Sequence, residues 1–305
     1  RFYYMCENKS NILILGGSGY LGRNLIKKID SNLVDATYNN NAFDGGIKFD
    51  ATNESISQLP VNIKKCSHAV ILLGETNPDT CLKKANISED INVSSIKNIL
   101  EELYANKITP VFASTEAVFD GEIGDYKESD ATNPLMLYAK QKYEIEKIIR
   151  NKFSKYIILR ISKVYGYEEN NGNILYSWFQ QITRGDSNIK CASDFISSPV
   201  LVDDVSELIL KLIKNNHHGV YHVGGPHAMS RFDMFNALLN EVKKYVNIDV
   251  RSEKCSIDDF QTLEPRPKKI NLNTDKLSNL FEYKLHTIEE VCKKFVEDNC
   301  GAIKG

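Results

Sequence analysis

The chain lacks a surplus of either charge: across 305 residues, 38 Lys and Arg stand against 40 Asp and Glu, a formal net charge of -2. A broad nucleic-acid groove shows itself as a basic excess, so nucleic acid is not expected as a partner. No apolar run approaches the roughly 18 residues that a membrane-spanning helix needs, so no membrane insertion is expected either. The 7 cysteines are scattered, odd in number and without a CxxC pair. That spacing argues against a zinc ribbon or a disulfide framework and predicts reduced thiols in a cytoplasmic protein. Arg1 to Cys6 do not have the form of a signal peptide, and Met5 reads as a native start. Repeats, low-complexity tracts and an obvious flexible linker are missing as well.

What is present is an alternation of short apolar runs and amphipathic stretches. Asn11–Leu15, Leu33–Tyr38, His68–Leu73, Thr109–Ala113 and Tyr156–Arg160 read as strands. Asn24–Ile29, Ile91–Leu103 and Leu135–Ile149 between them have helical spacing. Strands alternating with helices predict an α/β fold, a doubly wound parallel sheet with helices on both faces. After Tyr165 the rhythm changes. A polar loop from Gly166 to Asn173 leads to a helix carrying Trp178 and Phe179, read as core, and Asp203–Ile213 and Gly219–Val223 read as a helix and one more strand. Residues 10–166, completed by about 200–224, are expected to form a dinucleotide-binding domain of Rossmann type. Residues 167–199 and 225–305 are expected to form a smaller, interleaved substrate-binding lobe.

Three motifs carry chemistry. Gly16-x-x-Gly19-x-x-Gly22 lies between the first strand and first helix. Glycines there permit a tight turn and let backbone N–H groups approach a pyrophosphate, although a glycine-rich loop can also be only a loop. Tyr138-x-x-x-Lys142 puts a phenol and an ammonium on one helical face. A free phenol titrates near 10, and a neighbouring positive charge favours its ionised form. Taken alone, this pair is ordinary on a surface helix. Ser114-Thr115-Glu116 directly follows a strand, where a doubly wound sheet gathers its ligands and a hydroxyl can hold a carbonyl oxygen. Taken alone, it reads as a turn.

In their order and placement the three resemble the extended short-chain dehydrogenase/reductase family, with Asp50-Ala51 after the third strand and Asn92-Val93 on the fourth helix as further matches. Within it the chain looks most like the dTDP-4-dehydrorhamnose reductase branch. Ser114 to Gly121 resembles STDYVFDG and Leu159 to Gly166 resembles LRTSWVYG. Gly219 to His222 resembles GIYH, and Arg266-Pro267 with Asn273 to Leu277 resembles RPxxxxLDTxKL. The likeness runs from about Asn11 to about Leu285.

The resemblance implies NAD(P)H-dependent reduction of a nucleotide-diphosphate 4-keto-6-deoxy sugar. Tyr138 would give a proton to the ketone oxygen, Lys142 would bond the nicotinamide ribose and lower the tyrosine's pKa, and Thr115 would orient the carbonyl. Gly16, Gly19, Tyr20 and Leu21 would face the pyrophosphate, Asp50 and Ala51 the adenine, and Leu73, Gly74 and Thr76 would lie along the cofactor. Glu116, Lys163, Asn173 and Arg266 are the substrate-side candidates. A homodimer is the assembly the likeness implies.

The cofactor follows less directly. At the end of the second strand, Thr37-Tyr38-Asn39-Asn40-Asn41 offers no acid for the ribose 2′-hydroxyl of NAD, and no arginine or lysine for the 2′-phosphate of NADP. NADP(H) is favoured and NAD(H) kept as the alternative. Dehydratases of the superfamily carry Thr-Asp-Glu where this chain has Thr115-Glu116-Ala117, so dehydration is not expected. Two other readings stay open: an NDP-sugar 4-epimerase, and a non-catalytic NADP-binding regulatory subunit similar to methionine adenosyltransferase beta. Lys163 stands where the rhamnose-type reductases often have tryptophan. His217-His218 reads as a solvated turn rather than a metal pair, and no metal is expected.

Overall fold

The computed structural model describes residues 11–168 and 173–299. The opening segment with Met5, residues 169–172 of the polar loop, and Cys6 and Cys300 lie outside the described residues. The chain divides into two compact units, one of residues 1–118, 133–160 and 205–221, the other of residues 119–132, 161–204 and 222–305.

The first unit is built on a seven-stranded sheet. Its strands are β1 (Asn11–Leu15), β2 (Val34–Tyr38), β3 (Ile47–Lys48), β4 (Cys66–Ile71), β5 (Thr109–Thr115), β6 (Ile157–Ile161) and, last, Gly219–Val223. Across the sheet the order is Gly219–Val223, β6, β5, β4, β1, β2, β3. The chain builds outward from β1 in one direction, then crosses to β4 and builds in the other, with β1 pairing in parallel with both β2 and β4. This is the Rossmann-type doubly wound sheet, and its switch point lies beyond the carboxyl ends of β1 and β4. Ile12, Leu13, Ile14 and Leu15 are all buried, as a strand covered on both faces demands.

The helices α1 (Tyr20–Ile26), α2 (Pro78–Lys83), α3 (Ala85–Glu89), α4 (Ser95–Ala105) and α5 (Leu137–Lys152) flank this sheet. α4 buries Ile96, Ile99, Leu100 and Leu103 against Leu13, Leu15, Ile71 and Phe112 of the core. Sequence periodicity reads one helix from Ile91, but Asp90–Ser94 winds as a π-turn. The extra residue per turn carries Asn92 and Val93 to full burial.

The second unit packs helices Ile174–Arg184, Arg231–Val242 and Ile288–Asn299 around an aromatic core. Trp178 meets Phe235, and Phe179 meets Phe295, each edge-to-face at 5.4 Å between ring centroids. Asn188–Ala192 and Arg251–Cys255 form a parallel ladder. The segment 119–132 belongs to this unit through backbone bonds such as Tyr126 N–H to Asn271 (3.1 Å) and Asn273 N–H to Tyr126 (2.8 Å). Among the described residues, no helix is long and apolar enough to cross a membrane.

Candidate active site

The glycine loop is fixed by β2. Thr37 accepts from Gly16 N–H through its hydroxyl (3.2 Å) and from Gly17 N–H through its carbonyl (2.7 Å). Gly16 has φ +92°, a conformation that side chains rarely adopt, and a Cβ there would sit 2.7 Å from the backbone nitrogen of Leu73. A Cβ on Gly22 would strike the Gly16 carbonyl at 2.6 Å. One on Gly19 would meet only the Gly16 carbonyl, at 3.4 Å, so this stretch of backbone is approachable. No side chain caps α1. Its first-turn N–H groups, at Tyr20, Leu21 and Gly22, project from the helix end.

β5 ends at Thr115, whose hydroxyl lies close enough to the Tyr138 phenol on α5 to favour its ionised form. One turn further along α5, Lys142 is buried and its Nζ donates to the Ala113 carbonyl (3.0 Å). It also lies 4.8 Å from the centroid of the Phe112 ring. A Cβ on Gly74 would come within 3.7 Å of the same Nζ, so the turn after β4 runs beside the lysine. Desolvation pushes the Tyr138 phenol up to about 12, the nearby Thr115 hydroxyl acting in the opposite direction. Desolvation also pulls Lys142 down to about 8. Glu116 is buried close enough to resist ionisation of the phenol. Thr115, Glu116, Tyr138, Lys142 and Gly74, each expected from the sequence, are therefore gathered at the carboxyl ends of β4 and β5.

Two sets of supporting residues surround this cluster: one centres on Asn92, matched with Val93 in the sequence, and the other on Glu146, which was not singled out there. Asn92 is fully buried; its Oδ1 accepts from Glu75 N–H (2.8 Å), and its Nδ2 donates to the Glu75 carbonyl (3.0 Å) and to Gln141 Oε1 (2.8 Å). It thereby ties the turn after β4 to the helix that carries Lys142. Glu146, the next residue on the Tyr138–Lys142 stripe, is buried and bonded to Ser114 Oγ (2.5 Å) and to Arg160. The available signal was positional: Gln141, Lys142 and Glu146 are polar residues on the face of α5 that also buries Ala139, Ile145 and Ile149.

The other expected residues are distributed as follows. Asp50 turns its carboxylate onto Thr52 and Asn53 of its own turn, and those bonds lower its pKa. Ala51 packs against the sheet core, and Thr76 is exposed on the turn after β4. In the second unit Lys163 is exposed and Arg266 half-buried. Asn173 is fully buried as the cap of helix Ile174–Arg184, and both of its amide hydrogens go to the Gly166 and Glu168 carbonyls (2.6 and 2.9 Å). His217 and His218, expected to be solvated, are half-buried; the chain is turning into Gly219–Val223, and Tyr221 Oη donates to the His218 carbonyl (2.9 Å).

At the end of β2 the reading of an absent cation needs correcting. β3 pairs Lys48 with Tyr38, and Lys48 Nζ donates to Asn39 Oδ1 (2.7 Å) and to the Asn39 carbonyl. The positive charge arrives from the neighbouring strand, outside residues 37–41.

The fold and these residues define a Rossmann-type α/β protein with a threonine–tyrosine–lysine cluster at its switch-point edge. The family model described as RmlD substrate binding domain matches residues 10–300, and the chain belongs to that family. It is 25% identical over 282 residues to the dTDP-4-dehydrorhamnose reductase of Aggregatibacter actinomycetemcomitans, covering 89% of this chain and 93% of that one. It is also 25% identical over 288 residues to methionine adenosyltransferase 2 subunit beta of Bos taurus, covering 88% and 82%. Among solved structures, dTDP-4-dehydrorhamnose reductase from Yersinia enterocolitica superposes with a TM-score of 0.80 at 22% identity, covering 97% of this chain and 100% of that one. The Bacillus anthracis reductase, solved in complex with NADP, superposes at 0.78 with 24% identity, covering 95% and 99%.

Proposed function

We propose that the chain is a cytoplasmic, NADP(H)-dependent reductase of a nucleotide-diphosphate 4-keto-6-deoxy sugar, with Tyr138 as proton donor. The observation that carries this reading is the Thr115 hydroxyl beside the Tyr138 phenol with Lys142 one turn beyond, beside Gly74 and within reach of the glycine loop through Leu73. The kinship with dTDP-4-dehydrorhamnose reductases supports it.

The residues fit such a cofactor. The backbone around Gly19 would hold the pyrophosphate, because a Cβ at Gly16 or Gly22 would collide with backbone and none stands at Gly19. Leu73, Gly74 and Thr76 would line the path to Lys142. When bound, the reduced nicotinamide supplies a hydride to the carbonyl carbon. Thr115 would hold the carbonyl oxygen. Tyr138, whose pKa stands at about 12, keeps its proton until that oxygen gains negative charge, and then transfers it. Lys142 would bond the ribose hydroxyls, and its charge would stabilise the phenolate left behind. Glu116, Lys163 and Arg266 are the proposed substrate-side residues, the last as a charge for the diphosphate.

The test is loss of NADPH absorbance with dTDP-, UDP- and GDP-4-keto-6-deoxy sugars. Stoichiometric oxidation that Tyr138→Phe abolishes is the expected result; a chain that binds NADPH and oxidises it with none of the panel would defeat the reductase reading. A second reading rests on the regulatory-subunit relatives, which match over 88% of this chain. It predicts NADP(H) binding and co-purification with a synthetase, without turnover.

A further inference from the structure

With the usual acid missing at the end of β2, another group has to distinguish NADPH from NADH. The answer lies in β3. Thr37 of β2 holds the glycine loop through two hydrogen bonds, so the residues just beyond it stand next to that loop. Phe43 confirms the closeness, because a Cβ on Gly17 would lie 3.2 Å from its ring. Tyr38, the next residue after Thr37, is directly opposite Lys48 in the parallel register, and its ring meets Phe43 edge-on at 6.1 Å. Lys48 Nζ then reaches back over Tyr38, 5.9 Å from its ring centroid, to Asn39.

Asn39 thus stands at the strand end where an acid would read a ribose 2′-hydroxyl, and it is a neutral amide with a cation fastened to it. An ammonium carries three hydrogens; the Asn39 carbonyl and Oδ1 take two. The third is left for a ligand, and the exposed position keeps the charge within reach of one. Asp50, the carboxylate that feels Lys48, is engaged by Thr52 and Asn53.

Resting on the cofactor reading, we infer that Lys48 recognises the 2′-phosphate of NADPH, with Asn39 orienting the ammonium toward it. A phosphate there would form a charge-assisted hydrogen bond with a cation pre-positioned by two others. An unphosphorylated ribose would gain no such partner. The pairing across β2 and β3, and not the end of β2 alone, sets the cofactor preference.

The experiment is direct binding, read by calorimetry, of NADPH and NADH to the full chain and to Lys48→Ala, Lys48→Glu and Asn39→Asp. The wild-type chain is expected to hold NADPH more tightly. Lys48→Ala should weaken NADPH by roughly tenfold or more, the range for a lost charged hydrogen bond, and leave NADH within about twofold. Lys48→Glu and Asn39→Asp should shift the preference further toward NADH. Raising the salt concentration should erode the wild-type preference and not that of Lys48→Ala. Equal loss for both nucleotides, or an unchanged ratio in Lys48→Ala, overturns the inference and leaves the cofactor reading intact. A wild-type chain that binds neither nucleotide overturns both. Since Lys48 is exposed, an unchanged thermal transition in each variant separates recognition from folding.

Discussion

Arg160 on β6 grips Glu146 on α5 with a two-pronged ion pair: Nη2 to Oε2 at 2.8 Å, and Nε to Oε1 and Oε2 at 3.1 and 3.2 Å. Both side chains are almost wholly shielded from solvent, at 2% and 0% exposure. The carboxylate also accepts from Ser114, the residue before Thr115, and stands one turn beyond Lys142 on the same stripe of α5. The pair therefore sets how α5 registers against β5, and with it the distance between Thr115 and Tyr138.

Removing one partner leaves an uncompensated buried charge, which typically costs about 3–5 kcal/mol. Glu146→Ala and Arg160→Ala are each expected to lower the midpoint of urea unfolding severely. Arg160→Met with Glu146→Leu should lose much less, because neither charge then remains buried. Urea titrations of the single and double variants check this. A double variant as unstable as the singles summed would show that the two side chains do not act as a pair.

Tyr138 and Lys142 are expected to separate in kinetics. Tyr138→Phe removes the acid and keeps the ring, so turnover should fall by about a hundredfold or more with cofactor affinity nearly unchanged. Lys142→Met loses both the bond to Ala113 and the charge offered to a ribose, so it should weaken cofactor binding as well as turnover. Steady-state kinetics together with direct cofactor binding test the split. Loss of cofactor binding in Tyr138→Phe would remove the phenol from the role of proton donor.

Much of this was written in local sequence. β1, β4, β5 and β6 are short apolar runs, and burial on both faces is what such runs require. The glycine spacing and Tyr138-x-x-x-Lys142 are equally local. Other features depend on partners distant in the chain. Asn188–Ala192 and Arg251–Cys255 carry polar side chains, including exposed Asn188, Lys190 and Arg251, and are strands because their backbones pair with each other. β3 is two residues long, and only its register with β2 brings Lys48 to Asn39. Glu146 is an ordinary helical glutamate until β6 delivers Arg160. The boundary of the units was also hidden, since residues 119–132 join the second unit through bonds to residues 269, 271 and 273.

The glycine loop predicts a graded series. Gly16→Ala combines a strained φ of +92° with a contact of 2.7 Å on Leu73 backbone, and Gly22→Ala meets the Gly16 carbonyl at 2.6 Å. Neither obstacle can swing aside as a side-chain tip would. Both variants should be destabilised and should lose dinucleotide binding. Gly19→Ala meets its neighbour only at 3.4 Å, so the fold should tolerate it. The new methyl would nevertheless stand on the face proposed for the pyrophosphate, and cofactor affinity should fall. Thermal melts and binding titrations of the three variants give the order, and intact cofactor binding by Gly19→Ala would place the pyrophosphate elsewhere.

His68 at β4 ties the stability of the first unit to acid. Its ring is buried, with Ser67 Oγ 2.9 Å from Nδ1, and burial pulls its pKa to about 4, helped by the nearby His218. In the unfolded chain it would titrate near 6.5. Between those values the unfolded state binds the extra proton, so stability must rise with pH across this window and fall as pH drops from about 6.5 toward 4. The full span corresponds to roughly 3 kcal/mol. His68→Gln cannot take up that proton, so its unfolding free energy should vary with pH between 4.5 and 7 by one proton less than wild type. Urea unfolding across that range measures the two slopes, and identical slopes would mean that His68 is as easily protonated in the folded chain as in the unfolded one.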